Sequence, residues 1–149
     1  KVILMNAHEF PTPDIWLAHR VSYGETDTMG YVYYAEYLHL FERGRSEYIR
    51  GALGVSYAEI ERRGILLPVR EATCRYRRPA RYDDLIHIRT GISEVGRASV
   101  SFVYAVMDAE RKTLLAEGFT QHACVNTEGR PVRAPEWFIA LLRGDRTAG

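Results

Sequence analysis

The alternation of hydrophobic and polar positions changes period along this chain. Leu17, His19, Val21 and Tyr23 alternate with Ala18, Arg20 and Ser22, which predicts a strand over residues 16–23. Beyond a glycine-bearing loop, Tyr34, Tyr37, Leu38, Phe41, Arg45, Tyr48 and Ile49 recur at three- and four-residue steps. Glu36, Glu42, Arg43, Glu47 and Arg50 fall mostly on the other side, so a long amphipathic helix is predicted to about residue 50. Gly44 lies inside it at a cost of about 1 kcal/mol relative to Ala, a sign that something packs closely there. Gly51 and Gly54 break the helix, and Ser56 with Glu59 three residues on predicts a capped short helix to residue 63, ended by Gly64.

From Ile65 onward the period becomes that of strands, predicted at 67–77, 85–94, 98–108 and 113–125. Pro79 closes the first of these, and Gly96-Arg97 forms a tight turn between the second and third. Along the last strand Ala116, Gly118 and Thr120 share one face, small enough for the long helix to pack against it. Asn126-Thr127-Glu128-Gly129 reads as a turn, and Pro135 opens a final helix to about residue 142. Residues 1–13 form an irregular lead-in, and residues 14–149 a single domain. One strand, one long helix and four consecutive strands predict an α+β fold, an antiparallel meander wrapped around the helix.

Composition narrows the function classes. The 149 residues are 46% hydrophobic and 26% charged, ordinary for a soluble globular chain, and a formal net charge of +1 gives no bulk attraction to nucleic acid or an anionic membrane. No apolar run reaches the roughly 20 residues of a membrane helix, and Lys1-Val2-Ile3-Leu4-Met5 is too short for a signal h-region. An upstream piece ahead of Lys1 stays open. Cys74 and Cys124 fall in predicted strands, and reduced thiols in a cytoplasmic protein are the expectation. His122-x-Cys124 has no second ligand pair to complete a metal site.

Tyr23-x-Glu25-Thr26-Asp27-x-x-Gly30-x-Val32-Tyr33-Tyr34-x-x-Tyr37-Leu38, followed by Phe41-Glu42-Arg43-x-Arg45-x-Glu47, resembles the signature of hot-dog-fold acyl-CoA thioesterases. The pattern is similar to both the 4-hydroxybenzoyl-CoA thioesterases and the acyl-CoA thioesterases associated with the Tol-Pal envelope system. The resemblance runs over roughly residues 14 to 142. It implies a sheet wrapped around a central helix, hydrolysis of an acyl-CoA to carboxylate and free CoA, no metal or redox cofactor, and a homo-oligomer, dimer or tetramer. Two other readings remain open: hydrolysis of acyl groups on acyl carrier protein, and a non-catalytic hot-dog protein that binds acyl-CoA.

A thioester carbonyl needs an attacking oxygen, which a carboxylate supplies directly or by deprotonating water. The resemblance places that carboxylate at Asp27 and an oxyanion donor at the Tyr34 backbone N–H, where an unpaired amide and the helix dipole both favour negative charge. Tyr34 stands where the envelope-associated branch carries His, and Glu36 where Asn is usual. Tyr23 is the candidate for positioning substrate or water, with strand-end packing as its alternative. Gly30, Tyr33, Arg97, Ser99, Arg130 and Arg133 are the candidate substrate and CoA contacts, the arginines as phosphate-binding forks. Glu42 is a reserve catalyst, although Arg43 and Arg45 beside it suggest a surface ion pair. The ten tyrosines, clustered at Tyr31, Tyr33, Tyr34 and Tyr37, suit either an aromatic acyl group or ordinary packing.

Overall fold

Two glycines, Gly44 and Gly118, show how tightly helix and sheet meet. A Cβ on Gly44 would stand 2.5 Å from Thr90 Oγ1 and 3.0 Å from Ile88 Cγ2. One on Gly118 would overlap the ring edge of Phe41 and lie 3.0 Å from the Thr73 carbonyl oxygen. The missing side chains let the helix backbone settle onto the sheet and the Phe41 ring sink into it, as the sequence pattern at both glycines predicts. Phe41 is fully buried and stacks on Tyr104, their ring centroids 4.3 Å apart.

The computed structural model describes residues 9–144. The first part of the lead-in, Lys1 to Met5 included, and the last five residues lie outside the described residues. Five strands and three helices make up the rest: β1 (Asp14–Arg20), α1 (Glu36–Tyr48), α2 (Tyr57–Arg62), β2 (Val69–Tyr76), β3 (Leu85–Val95), β4 (Ser99–Met107), β5 (Leu114–Ala123) and α3 (Glu136–Leu142). A π-helical turn, Ile49–Leu53, extends α1 and ends at Gly54, whose φ of 80° places it in the left-handed region. Ser56 Oγ accepts the Glu59 N–H at 3.0 Å, the cap expected of α2.

The strands form one antiparallel sheet in the order β1-β3-β4-β5-β2. This corrects the simple meander. β3, β4 and β5 pair in succession, but β2 does not pair with β3. It lies on the far edge beside β5, while β1 takes the place next to β3. The 77–84 connection spans the gap and is held by the loop ahead of α1: Val32 N–H donates to the Ala80 carbonyl at 2.8 Å and Tyr82 N–H to that of Gly30 at 3.0 Å. The crossing brings the end of β2 to the mouth of that loop. An antiparallel sheet curled around one long helix is the hot-dog fold.

The core lies between α1 and the inner sheet face, with Leu40, Phe41 and Tyr48 against Ile86, Ile88, Phe102, Tyr104 and Val106. Cys74 on β2 opposes Gly118 and not Cys124, and both thiols are free. Burial pushes the Cys74 thiol up to about 11.

Candidate active site

The segment between β1 and α1 is a chain of local hydrogen bonds built around Asp27. Oδ1 of Asp27 accepts from the N–H groups of Met29 at 2.9 Å and Tyr31 at 3.1 Å. Asp27 N–H donates to the Tyr31 carbonyl at 2.8 Å, and Gly30, with φ of 80°, donates to the Asp27 carbonyl at 2.9 Å. A short Asp side chain closing its own turn in this way holds the carboxylate in one orientation. Asp27 therefore caps the turn 27–31 and not the helix, which begins nine residues later at Glu36. Among the described residues nothing hydrogen-bonds to Oδ2 of Asp27.

Separated from that turn by Thr26 alone, Tyr23–Glu25 form a 3-10 turn braced by Glu25. Its carboxylate accepts the Ser22 N–H at 2.8 Å and the His19 ring Nε2 at 2.9 Å. Arg43 on α1 donates to His19 Nδ1 at 2.7 Å. Arginine can only donate, so Nδ1 must be the acceptor and Nε2 must carry the proton. Burial works against the charged Glu25, but the Ser22 amide and His19 outweigh it and hold its carboxyl below the usual range. The Glu25 carbonyl then accepts the Tyr33 N–H at 2.8 Å. Glu25, His19 and Arg43 thus bolt the Asp27 segment to the helix.

The helix itself starts late. Tyr33, Tyr34 and Ala35 form a turn in which Glu36 N–H reaches the Tyr33 carbonyl at 2.9 Å. Among the described residues no acceptor meets the Tyr34 N–H, one of the orphan donors expected ahead of a helix. The Tyr34 carbonyl is held instead, by the hydroxyl of Tyr76 at 2.9 Å. Asp27 and Tyr34 line one cleft of about 360 Å³ with Tyr31, Tyr37, Tyr76, Arg77 and Arg78. Desolvation raises the Tyr37 hydroxyl to about 12 and pushes that of Tyr76 higher still, so both remain protonated. Arg77 is ion-paired with Glu117, whereas Arg78 has no ion-pair partner among the described residues; a cleft lined by a fixed carboxylate, a residue with a free backbone donor and that cation suits acyl transfer on an anionic substrate.

The other candidates are not among the residues that line the cleft. Tyr23 is 80% exposed and stands edge-on to Tyr82, and its carbonyl accepts from the N–H and hydroxyl of Thr26, the residue before Asp27. Tyr33 packs obliquely on Tyr34. Gly30 serves the Asp27 turn. Glu42 pairs with His39 at 3.3 Å on the helix surface and not with Arg43 or Arg45 as the spacing suggested. Arg97, Ser99, Arg130 and Arg133 gather at the opposite end of the sheet. Tyr76 beside the cleft pairs with Ala116 and thence with Val106, whereas Ser99 begins the same strand seven residues away, roughly 23 Å at strand rise. The Arg97 carbonyl, 2.8 Å from the Ala134 N–H, ties this end to the segment after Arg133. Sequence reasoning missed Tyr76, Arg77 and Arg78. Their signal was the run of cations just before Pro79, in the connection that crosses to the far edge.

Among the described residues no cluster could hold a metal ion, and no helix is long and apolar enough to cross a membrane.

Comparison with known proteins gives this geometry a family. A family model for the thioesterase-like superfamily matches residues 21–142. The chain is 35% identical over 136 residues to the acyl-CoA thioesterase YbgC of Haemophilus influenzae, covering 90% of this chain and 93% of the relative. It is 31% identical to the putative acyl-CoA thioesterase YneP of Bacillus subtilis, over 85% of this chain and 94% of that one. Among solved structures, the DHNA-CoA thioesterase of Staphylococcus aureus superposes with a TM-score of 0.80 at 26% identity, covering 88% of this chain and 87% of that one. On the strength of a match that takes in the Asp27 turn, the central helix and all but the first strand, the chain belongs to the thioesterase-like superfamily of hot-dog proteins.

Proposed function

We propose that this chain hydrolyses acyl-CoA thioesters. The observation that carries the reading is that Asp27, whose Oδ2 has no hydrogen-bond partner among the described residues, and Tyr34, whose N–H has none either, line one cleft. Oδ1 is committed to two backbone amides, so Oδ2 is the reacting oxygen. In the general-base route Oδ2 takes a proton from water as the water oxygen bonds to the thioester carbon. The carbonyl oxygen becomes an oxyanion and accepts from the Tyr34 N–H, in line with the start of α1. Collapse breaks the carbon–sulfur bond, and the departing thiolate takes the proton from Asp27. In the nucleophilic route Oδ2 itself bonds to carbon and the carbon–sulfur bond breaks, releasing CoA as thiolate; water then opens the resulting mixed anhydride, which frees the acid, restores the Asp27 carboxylate and leaves a proton for the thiolate. Each donor of this kind contributes on the order of a hundredfold or more in rate.

The second element of the proposal is a homodimer formed through β2. This strand is a sheet edge whose outer backbone groups meet no other strand among the described residues, and such edges are covered in stable proteins. Antiparallel pairing of two copies about Thr73 sets Glu71 against Arg75 twice, and among the described residues neither side chain has an ion-pair partner within its own chain. It also reverses the strand, so the Arg97, Ser99, Arg130 and Arg133 end of one copy lies beside the Asp27 cleft of the other. CoA phosphates would then meet those cations across the interface. Two dimers in a tetramer would leave this arrangement intact.

Release of free thiol from a panel of aliphatic and aromatic acyl-CoAs tests the reaction, and no release from any member would overturn it. The interface is tested by light scattering. Glu71→Arg places like charges opposite one another and should yield monomer, and adding Arg75→Glu should restore the dimer. A dimer undisturbed by Glu71→Arg would rule out this register.

A further inference from the structure

A second pocket, of about 240 Å³, opens between α1 and the start of β2. Ile49, Leu67, Val69 and Phe102 give it apolar walls, and Arg45 and His122 give it a polar floor. Arg45 is half-buried, yet among the described residues no carboxylate lies within ion-pair reach of it. Its one side-chain hydrogen bond among the described residues is a long one, 3.4 Å to the Tyr104 hydroxyl. The other partly buried arginines have closer partners: Arg89 pairs with Asp14 at 2.6 Å and Arg43 donates to His19 Nδ1 at 2.7 Å. Glu42, at the rim, is engaged with His39.

The polar groups behind Arg45 have a single consistent direction. His122 Nδ1 lies 2.9 Å from the Leu67 carbonyl, an acceptor only, so this nitrogen carries the proton. Nε2 therefore accepts from the Thr120 hydroxyl at 2.9 Å. The Thr120 oxygen in turn accepts from the Tyr104 hydroxyl at 2.5 Å, leaving the Tyr104 oxygen to accept from Arg45. Burial depresses His122 to about 4 and so keeps the imidazole neutral and this chain in place. The acceptors of this relay are all occupied. What remains for a ligand is the spare N–H donors of a cation with no counter-charge, at the end of an apolar slot. A half-buried charge without a partner is costly, and an incoming anion removes that cost.

We propose that this pocket receives the far end of the acyl group and selects a chain that ends in a carboxylate. The carboxylate would take the bidentate fork of Arg45 while the carbon chain lies against Ile49, Leu67, Val69 and Phe102. The assignment rests on the acyl-CoA reading and on β2 pairing, because antiparallel β2 strands set this pocket of one copy beside the Asp27 cleft of the other.

The test uses octanoyl-CoA and its ω-carboxy counterpart, suberyl-CoA. Binding of each is measured by calorimetry to the full chain carrying Asp27→Asn, where turnover does not interfere. Suberyl-CoA is expected to bind at least tenfold more tightly, and Arg45→Gln in the same background is expected to abolish the difference. Arg45→Lys, which keeps the charge and loses the fork, is expected to retain part of it and serves if the glutamine variant does not fold. Equal or weaker binding of suberyl-CoA, or a preference that survives Arg45→Gln, overturns the proposal. So does a monomeric Arg45→Gln protein in light scattering, because the anion on Arg45 would then come from the second copy. Thiol release by the unsubstituted protein separates the two claims. Hydrolysis of both compounds without binding preference removes the pocket assignment alone, whereas a binding preference without hydrolysis leaves the pocket and removes the hydrolase reading.

Discussion

Replacing Gly118 by Ala measures how far the helix position depends on the notch in β5. The added Cβ would collide with the Phe41 ring and stand 3.0 Å from the Thr73 carbonyl oxygen. Neither side yields easily. Phe41 is fully buried and stacked on Tyr104, and Thr73 lies in a strand paired to β5. Overpacking of this kind costs about 1–3 kcal/mol, and the methyl's intrinsic benefit to a strand offsets only part of that, so a net loss of about 1–2 kcal/mol is expected. Phe41→Leu alone removes ring volume from a close-packed core and should cost a comparable amount. Together the two changes should compensate, because the smaller side chain vacates the space the methyl needs. The double variant is expected to be at least 1 kcal/mol more stable than the sum of the singles. Urea unfolding followed by circular dichroism, at one protein concentration so that association does not shift the midpoint, gives all four values. A Gly118→Ala protein within about 0.5 kcal/mol of the unsubstituted chain, or strict additivity, would refute the reasoning.

Glu25→Gln removes the charge that holds His19 and the Ser22 amide, loosening the Asp27 segment without touching substrate. The value of kcat should fall roughly tenfold with little change in KM, consistent with misplacement of a catalytic group. A rise in KM alone would place Glu25 in substrate binding. His122 contributes a stability that depends on pH. Its folded-state pKa of about 4 lies below its ordinary value of 6.5, so the unfolded chain takes up its proton first as pH falls. Stability is thus fully present above pH 6.5 and is lost between there and about pH 4, at no more than about 1.4 kcal/mol per pH unit. His122→Gln should show a flatter stability profile over that window, and identical profiles would mean that His122 titrates normally.

The strand and helix pattern was readable because burial in this fold is periodic. Ile86, Ile88 and Ile92 mark the inner face of β3, and Ala116, Gly118 and Thr120 mark the track of the helix. The place of β2 was not readable. Its own alternation is that of any strand, and which edge it joins depends on the 77–84 connection meeting the loop at Gly30 and Val32, a contact across some fifty residues. For the same reason Asp27 and Tyr34, close in sequence, could be assigned to one site from the motif, whereas Tyr76, Arg77 and Arg78 could not. The aromatic run Tyr33-Tyr34 mimicked the start of a helical face, yet its backbone forms the turn that leaves the Tyr34 N–H without a partner. The floor of the second pocket joins α1, β4 and β5 through side chains from residues 45 to 122, and no local pattern announces it.

The central claim is that Asp27 carries the reaction, and kinetics on Asp27→Asn test it most directly. The amide keeps the size of the side chain and an oxygen for the Met29 and Tyr31 N–H groups, so the turn should persist. Single-turnover hydrolysis of an acyl-CoA that the unsubstituted protein cleaves, together with its binding constant, separates chemistry from affinity. The expected result is a rate at least a hundredfold lower with affinity changed less than about threefold, the signature of a lost general base or nucleophile. A rate within a few-fold of the unsubstituted protein would contradict the assignment and move the catalytic role to another carboxylate.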